Sequence, residues 1–172
     1  MTEHDIPLPS RERIQDLLFD AARLGREDMI PALLQAGADI GATDAKGHTA
    51  LILATYHDQG GTAALLIDHG AAIDQGDTGR GNTALMGVAF KGYAGLTRHL
   101  LAAGANPHAT NKAGQTALMM AALFGHGEIV DALLACGADP HQQDAAGNSA
   151  LSVATSQGND TLRVKLEAGV ST

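Results

Sequence analysis

The chain has 172 residues, enough for one domain with a sizeable core, and about 45% are apolar, yet aromatics make up only 3% and there is no Trp. Eleven Lys and Arg stand against 19 Asp and Glu, a net charge of −8 with no basic run, so nucleic acid and anionic membrane are poor partners. A single cysteine, Cys136, leaves no intramolecular disulfide and no cysteine-based metal site; with no signal-peptide core in "MTEHDIPLPSRER" and no apolar run of membrane-helix length, the expected setting is the cytoplasm.

Residues 1–9 read as a flexible N-terminal tail and residues 10–172 as one domain with no linker. The first predicted helix is "SRERIQDLLFDAARLG", with charges on its outer side and Gly25 closing it. Met29, Ile30, Leu33 and Leu34 then make the apolar face of a second helix, stopped at Gly37 by "GADI". From there the text repeats. "GHTAL" begins at Gly47, "GNTAL" at Gly81, "GQTAL" at Gly114 and "GNSAL" at Gly147, at spacings of 34, 33 and 33. "GAAI" at Gly70, "GANP" at Gly104 and "GADP" at Gly137 keep the same step.

Thr49, Thr83, Thr116 and Ser149 sit where a hydroxyl caps a helix N-terminus. Gly92, Gly125 and Gly158, like Gly25, end that helix, because glycine tolerates the positive φ of a C-cap. A second helix follows in each unit, most clearly through Ile129, Val130, Leu133 and Leu134. A turn rich in Asp, Asn, Gly and Pro then leads into the next unit. The last helix, "NDTLRVKLEAG", shows Arg163, Lys165 and Glu167 to water. Both end units thus carry polar outer faces, and no unit can bury its apolar face without a neighbour.

The period and these marks resemble the ankyrin repeat, from about Ser10 to Gly169, in units of approximately 10–43, 44–77, 78–110, 111–143 and 144–172. The resemblance implies an all-α solenoid of five helix-turn-helix units with finger-like β-turn loops. It also implies a non-enzymatic module whose fingers and first helices line a concave groove for a partner protein. Two departures stand out. Ala50, Ala84, Ala117 and Ala150 replace the usual proline of Thr-Pro-Leu-His, and Ile52, Met86, Met119 and Ser152 replace the histidine, whose hydrogen-bonding role is then absent.

Aligned on the family, the two positions before the closing glycine belong to the groove. They are Arg23 and Leu24, Tyr56 and His57, Phe90 and Lys91, Leu123 and Phe124, then Ser156 and Gln157. Three of the five aromatics fall in this column. They either seal the joints between first helices, with Leu123 or Phe124 tucked inward, or anchor a partner. The second reading makes Tyr56, Phe90 and Phe124 the anchors, with Leu123 beside them. Around them stand Arg23, His57, Lys91 and the finger residues Lys46, His48, Arg80 and Lys112, cations that suit carboxylates on a partner. A monomer is expected.

Two units break the pattern. Asp58 stands where sister units have the closing glycine, and Gly60-Gly61 follow. Either the turn is rebuilt on those glycines, or Asp58 itself adopts the left-handed conformation, or Tyr56, His57 and Asp58 form a local functional cluster. The third unit carries an extra finger residue in "DQGDTGRGN"; Asp74, Asp77 and Arg80 there read as a solvated turn, with partner contacts as the alternative.

His108 and His141 occupy equivalent finger positions, so stacking separates them by roughly 10 Å, too far for one zinc, and no metal is expected. H-E-x-x-H, G-x-S-x-G and the phosphate-binding loop are all missing, and Cys136 reads as a small filler near a helix end, so no catalytic residue is assigned. No cofactor is expected on the leading reading. The alternative is an accessory to a haem enzyme: small free-standing bacterial ankyrin proteins implicated alongside catalases are similar. Tyr56 or His57 would then be the haem ligand and Phe90 an apolar wall.

Overall fold

Hydroxyls at the repeat boundaries start the first helix of each unit. In a computed structural model, which describes residues 9–169, the Oγ1 atoms of Thr49, Thr83 and Thr116 accept from the amides of Ile52, Met86 and Met119 at 3.2, 3.3 and 3.3 Å. Ser10 and Ser149 cap in the same way. At the last of these caps, Ser152 Oγ also accepts from the Ser149 amide at 2.8 Å, closing a capping box. Ser152 thus makes a local bond at a position where the sequence suggests none. The expected tail, apart from Pro9, lies outside the described residues.

Ten helices follow among the described residues, in five pairs: α1 (Arg11–Leu24) with α2 (Ile30–Gln35), α3 (Ala50–Tyr56) with α4 (Gly60–Asp68), α5 (Ala84–Lys91) with α6 (Ala94–Ala102), α7 (Ala117–Leu123) with α8 (Gly127–Ala135), and α9 (Ala150–Ser156) with α10 (Asp160–Ala168). No strand forms among them; one isolated bridge joins Thr43 to Thr49. First helices stack on first helices and second on second, which makes two layers. Ala21, Ala54, Val88, Ala121 and Ala154 form one buried row between successive first helices. Leu33, Leu66, Leu100, Leu133 and Leu166 form the corresponding row of the second layer.

The fingers are bonded to one another. Thr78 donates its amide to the Gly47 carbonyl at 3.0 Å, Lys112 to Arg80 at 2.9 Å and Ala145 to Ala113 at 2.9 Å. Inside each finger an Asx side chain gathers backbone amides: Asp44, Asp77, Asn111 and Asp144. Asp77 takes three, from Arg80, Gly81 and Asn82, and so absorbs the extra residue of the third unit. Asp74 meanwhile accepts the Asn106 amide of the next unit at 2.9 Å. Both carboxylates are occupied in building the turn.

Asp58 settles the second unit. It takes φ 58°, beside 71° at Gly25 and 81° at Gly92, while Gly60 and Gly61 form the first turn of α4. The turn is therefore not rebuilt on the glycines; the aspartate bears the left-handed conformation. Cys136 is exposed at the end of α8, so it is no core filler. The second-layer row Met29, Thr62, Leu96, Ile129 and Leu162 holds one misfit: the Thr62 hydroxyl is fully buried with no hydrogen-bond partner.

An unpaired buried hydroxyl costs about 1–3 kcal/mol, so Thr62→Val is expected to raise the urea midpoint by an amount equivalent to roughly 1 kcal/mol. Asp58→Gly is expected to raise it by up to about 1 kcal/mol, since the left-handed conformation costs a side chain roughly that much. A midpoint that stays put or falls for either variant removes the argument for that residue.

Candidate functional site

The small buried rows turn large side chains outward at the last turn of each first helix. Tyr56, Phe90, Leu123 and Phe124 are between 43% and 46% exposed. The expectation that Leu123 or Phe124 tucks inward fails, because Ala121 and Ala122 already fill the inward face of α7. These four side chains border a pocket of about 410 Å³ with Ile52, Met86 and Met120. His48, Asp77, Arg80, Asn82 and Gln115 close it from the fingers. Three successive first helices contribute to it.

Gly87 opens this pocket. It occupies the helix position held by Leu53 in α3, Met120 in α7 and Val153 in α9, and a Cβ built on it meets no atom within 4 Å. Glycine inside a helix costs about 1 kcal/mol relative to alanine, so the gap is bought with helix stability. Around the gap the rings pack against one another and against neighbouring side chains. Phe90 and Phe124 meet edge to face at 4.7 Å and 75°. His126 stacks on Phe124 at 6.3 Å and its Nε2–H donates to the Phe90 carbonyl at 3.2 Å. The Lys91 ammonium lies 4.6 Å from the Tyr56 ring centre and 5.7 Å from that of Tyr93. Tyr56 and His57, the two haem-ligand candidates, stand edge to face at 5.8 Å, and nothing in that arrangement selects an iron ligand over a docking contact.

A second pocket, about 330 Å³, adjoins the first and brings Arg23, Lys46, His48, Tyr56 and His57 together. Here Arg23 departs from the role of a free rim cation. Its guanidinium bonds Asp44 at 2.6 Å and Asp20 at 3.1 Å, which braces the first finger against α1. The Asp44 side chain is only 8% exposed and also accepts the amides of Lys46 and His48 at 2.9 and 3.0 Å. Burial by itself raises the pKa of this carboxyl, but those amides, the guanidinium and the nearby His48 ring outweigh it and hold the group below its ordinary value. Arg80 and Lys112 share a shallow hollow between fingers, where Lys112 Nζ donates to the Thr78 carbonyl at 2.7 Å. Among the described residues no three His, Cys, Asp or Glu side chains gather to hold a metal ion.

Sequence reasoning missed Met86, Met120, Gly87 and His126. A glycine in the middle of "LMGVAFKG", between helix-forming residues, is the one signal that could have pointed to the gap.

A family model for ankyrin repeats (3 copies) matches residues 18–94 and 85–171. The chain belongs to the ankyrin-repeat family. It is 39% identical over 84 residues to an ankyrin repeat-containing protein of Treponema pallidum, across 49% of this chain and 28% of that protein. It is 35% identical over 96 residues to the ankyrin repeat domain-containing protein SAT10 of Stachybotrys chartarum, across 56% of this chain and 5% of that one. The matches thus span under a third of either relative. Ankyrin repeats are protein–protein interaction modules, and the family is generally a non-enzymatic fold. No described helix is long and apolar enough to cross a membrane.

Because folding depresses the Asp44 pKa, its ionised form adds stability that is full above the unfolded value near 3.8 and is lost as pH falls through the lower folded value. Asp44→Ala is expected to cost about 1–3 kcal/mol at neutral pH by urea unfolding. The wild-type lead over Asp44→Asn should shrink below pH 3.8; a lead independent of pH would remove the carboxylate from this role.

Proposed function

We propose that this ankyrin-repeat protein is a non-enzymatic docking module that holds a partner protein against the face built by its fingers and first helices, as a monomer. One observation carries the reading: Gly87 leaves a preformed gap between Tyr56, Phe90 and Phe124, walled by packed rings and by methionines. An apolar side chain entering it finds partners that need no rearrangement, and preorganisation of that kind lowers the cost of binding. Rigid aromatics at the centre of a polar rim are the usual seat of binding energy. The finger residues His48 and Arg80 supply part of that rim, and Lys91 adds to it from the end of α5.

Gly87→Leu tests this without unfolding the repeat. The added side chain enters open space, and replacing a helical glycine should hold or raise the urea midpoint, by up to about 1 kcal/mol. Partners captured by immobilised wild type are identified by mass spectrometry, purified and titrated by calorimetry. Gly87→Leu and Phe90→Ala should each weaken binding at least about tenfold, the scale of an anchor worth roughly 2 kcal/mol. Arg98→Gln, on the second-helix layer where Arg98 pairs with Glu128, should leave it unchanged. Binding that survives both pocket variants, or falls equally with Arg98→Gln, places the interaction elsewhere.

A further inference from the structure

The cations of this acidic chain divide by location. Of its 11 Lys and Arg, Arg23, Arg26, Arg98, Arg163 and Lys165 are matched to carboxylates. Lys46, Arg80, Lys91 and Lys112 have no carboxylate partner among the described residues, and all four stand on the fingers or at the end of α5. Arg80 lines the aromatic pocket, Lys91 lies over Tyr56 at its edge, Lys46 lines the adjoining pocket and Lys112 shares a hollow with Arg80. The remaining two, Arg11 and Arg13, open α1. The acids at the bases of the first two fingers are engaged, while Asp58, two residues beyond Tyr56, is exposed. Asp44 is held by Arg23 and two amides, Asp77 by three amides, and the next finger has a neutral asparagine, Asn111, in the equivalent place. A chain of net charge −8 therefore sets, among the described residues, four unpaired cations on its open face, with Asp77 the one carboxylate that lines the apolar pocket.

We infer that the groove takes an acidic peptide segment of the partner. One large apolar side chain fills the gap over Gly87, and carboxylates on either side meet Arg80 and Lys91, with Lys46 and Lys112 farther along. This rests on the docking reading above and names the chemistry of the occupant. Single-stranded nucleic acid also uses rings and cations, but it needs successive open ring faces on which to stack. Here Phe90 and Phe124 pack edge to face on each other, His126 stands nearly parallel to Phe124 beside them, and Lys91 lies over a face of Tyr56, so no run of open ring faces is presented. The excess of acid on the whole chain also repels a polyanion more than a short segment with a few carboxylates.

The test is a selection of random peptides of about 12 residues, displayed on phage, against the immobilised chain. Recovered peptides are synthesised and titrated by fluorescence anisotropy against wild type, Gly87→Leu and the double variant Arg80→Gln/Lys91→Gln, each first shown to keep wild-type helicity. The expected binders carry several Asp or Glu around one Leu, Ile, Met or Phe. Their Kd should rise at least about fivefold in the double variant and again between about 50 and about 500 mM NaCl, and Gly87→Leu should abolish binding. Neutral or basic binders that Gly87→Leu still abolishes overturn the acidic class and leave the docking groove standing. Binders indifferent to Gly87→Leu overturn both. A selection that yields no binder overturns the acidic segment, as does a labelled oligothymidylate that binds more tightly than the peptides and is lost in Gly87→Leu.

Discussion

Neighbouring first helices meet through small side chains. Ala21, Ala54, Val88, Ala121 and Ala154 make one row, and Ala22, Thr55, Ala89 and Ala122 lie beside it, all buried. An interior packed at crystal-like density has no room for a ring where the rows touch, so bulk must leave the joint. It leaves in two directions. Aliphatic bulk goes inward, to Leu18, Leu51, Leu85 and Leu118 of the first helices and to the row from Leu33 to Leu166 of the second, all buried, and three of the five rings go to the last turn of the first helices, on the open face. Phe19 and Tyr93 are the exceptions: Phe19 takes the histidine position of the first unit and is buried there, and Tyr93 stands at the start of α6, partly buried against the core. The aromatic face is thus a consequence of how closely the repeats must stack.

The same stacking explains why polar groups in the interior sort into satisfied and unsatisfied ones. Thr55 sits in a small-residue row, yet its hydroxyl donates back to the Leu51 and Ile52 carbonyls of its own helix, at 3.0 and 3.1 Å. Thr97, in the second layer, donates to the Tyr93 carbonyl at 3.0 Å in the same way. Thr62 lies in the first turn of α4, where no helical carbonyl stands four residues behind it, and its hydroxyl is stranded. A buried threonine is tolerated here when its helix supplies the acceptor, and position within the helix decides whether it does.

What was legible in the sequence was what is local and repeated. The capping hydroxyls, the closing glycines and the period of 33 each involve residues a few positions apart, and each recurs, so chance agreement is small. What escaped depends on distance in the chain or on a single unit. Arg23 reads as a free groove cation until Asp44, 21 residues later, arrives beside it from the finger. Leu123 and Phe124 are adjacent in sequence, and only the inward Ala121 and Ala122 show that both must face out. Asp58 looks like a break in the pattern because the conformation, and not the residue type, is what the repeat preserves. Gly87 was visible as a helix-weakening residue, but a missing side chain matters only once the neighbouring helices define the space it leaves.

The charge of the open face follows from how a finger is made. A tight turn leaves several amides pointing inward, and an Asx side chain at its base is the shortest group that can accept them. Asp44, Asp77 and Asp144 do this, so their oxygens are taken up by backbone amides, even though Asp77 also lines the aromatic pocket and Asp44 the one beside it. Lys46 and Arg80 follow two and three residues later and Lys112 follows the neutral Asn111, all at the exposed part of the turn and without a carboxylate partner among the described residues. Turn geometry therefore separates the two signs: acid to the base of the finger, base to its tip. An acidic protein can present cations on one face by this route without any basic stretch in its sequence, because the separation is made in two successive fingers and the third pairs its Lys112 with a neutral asparagine.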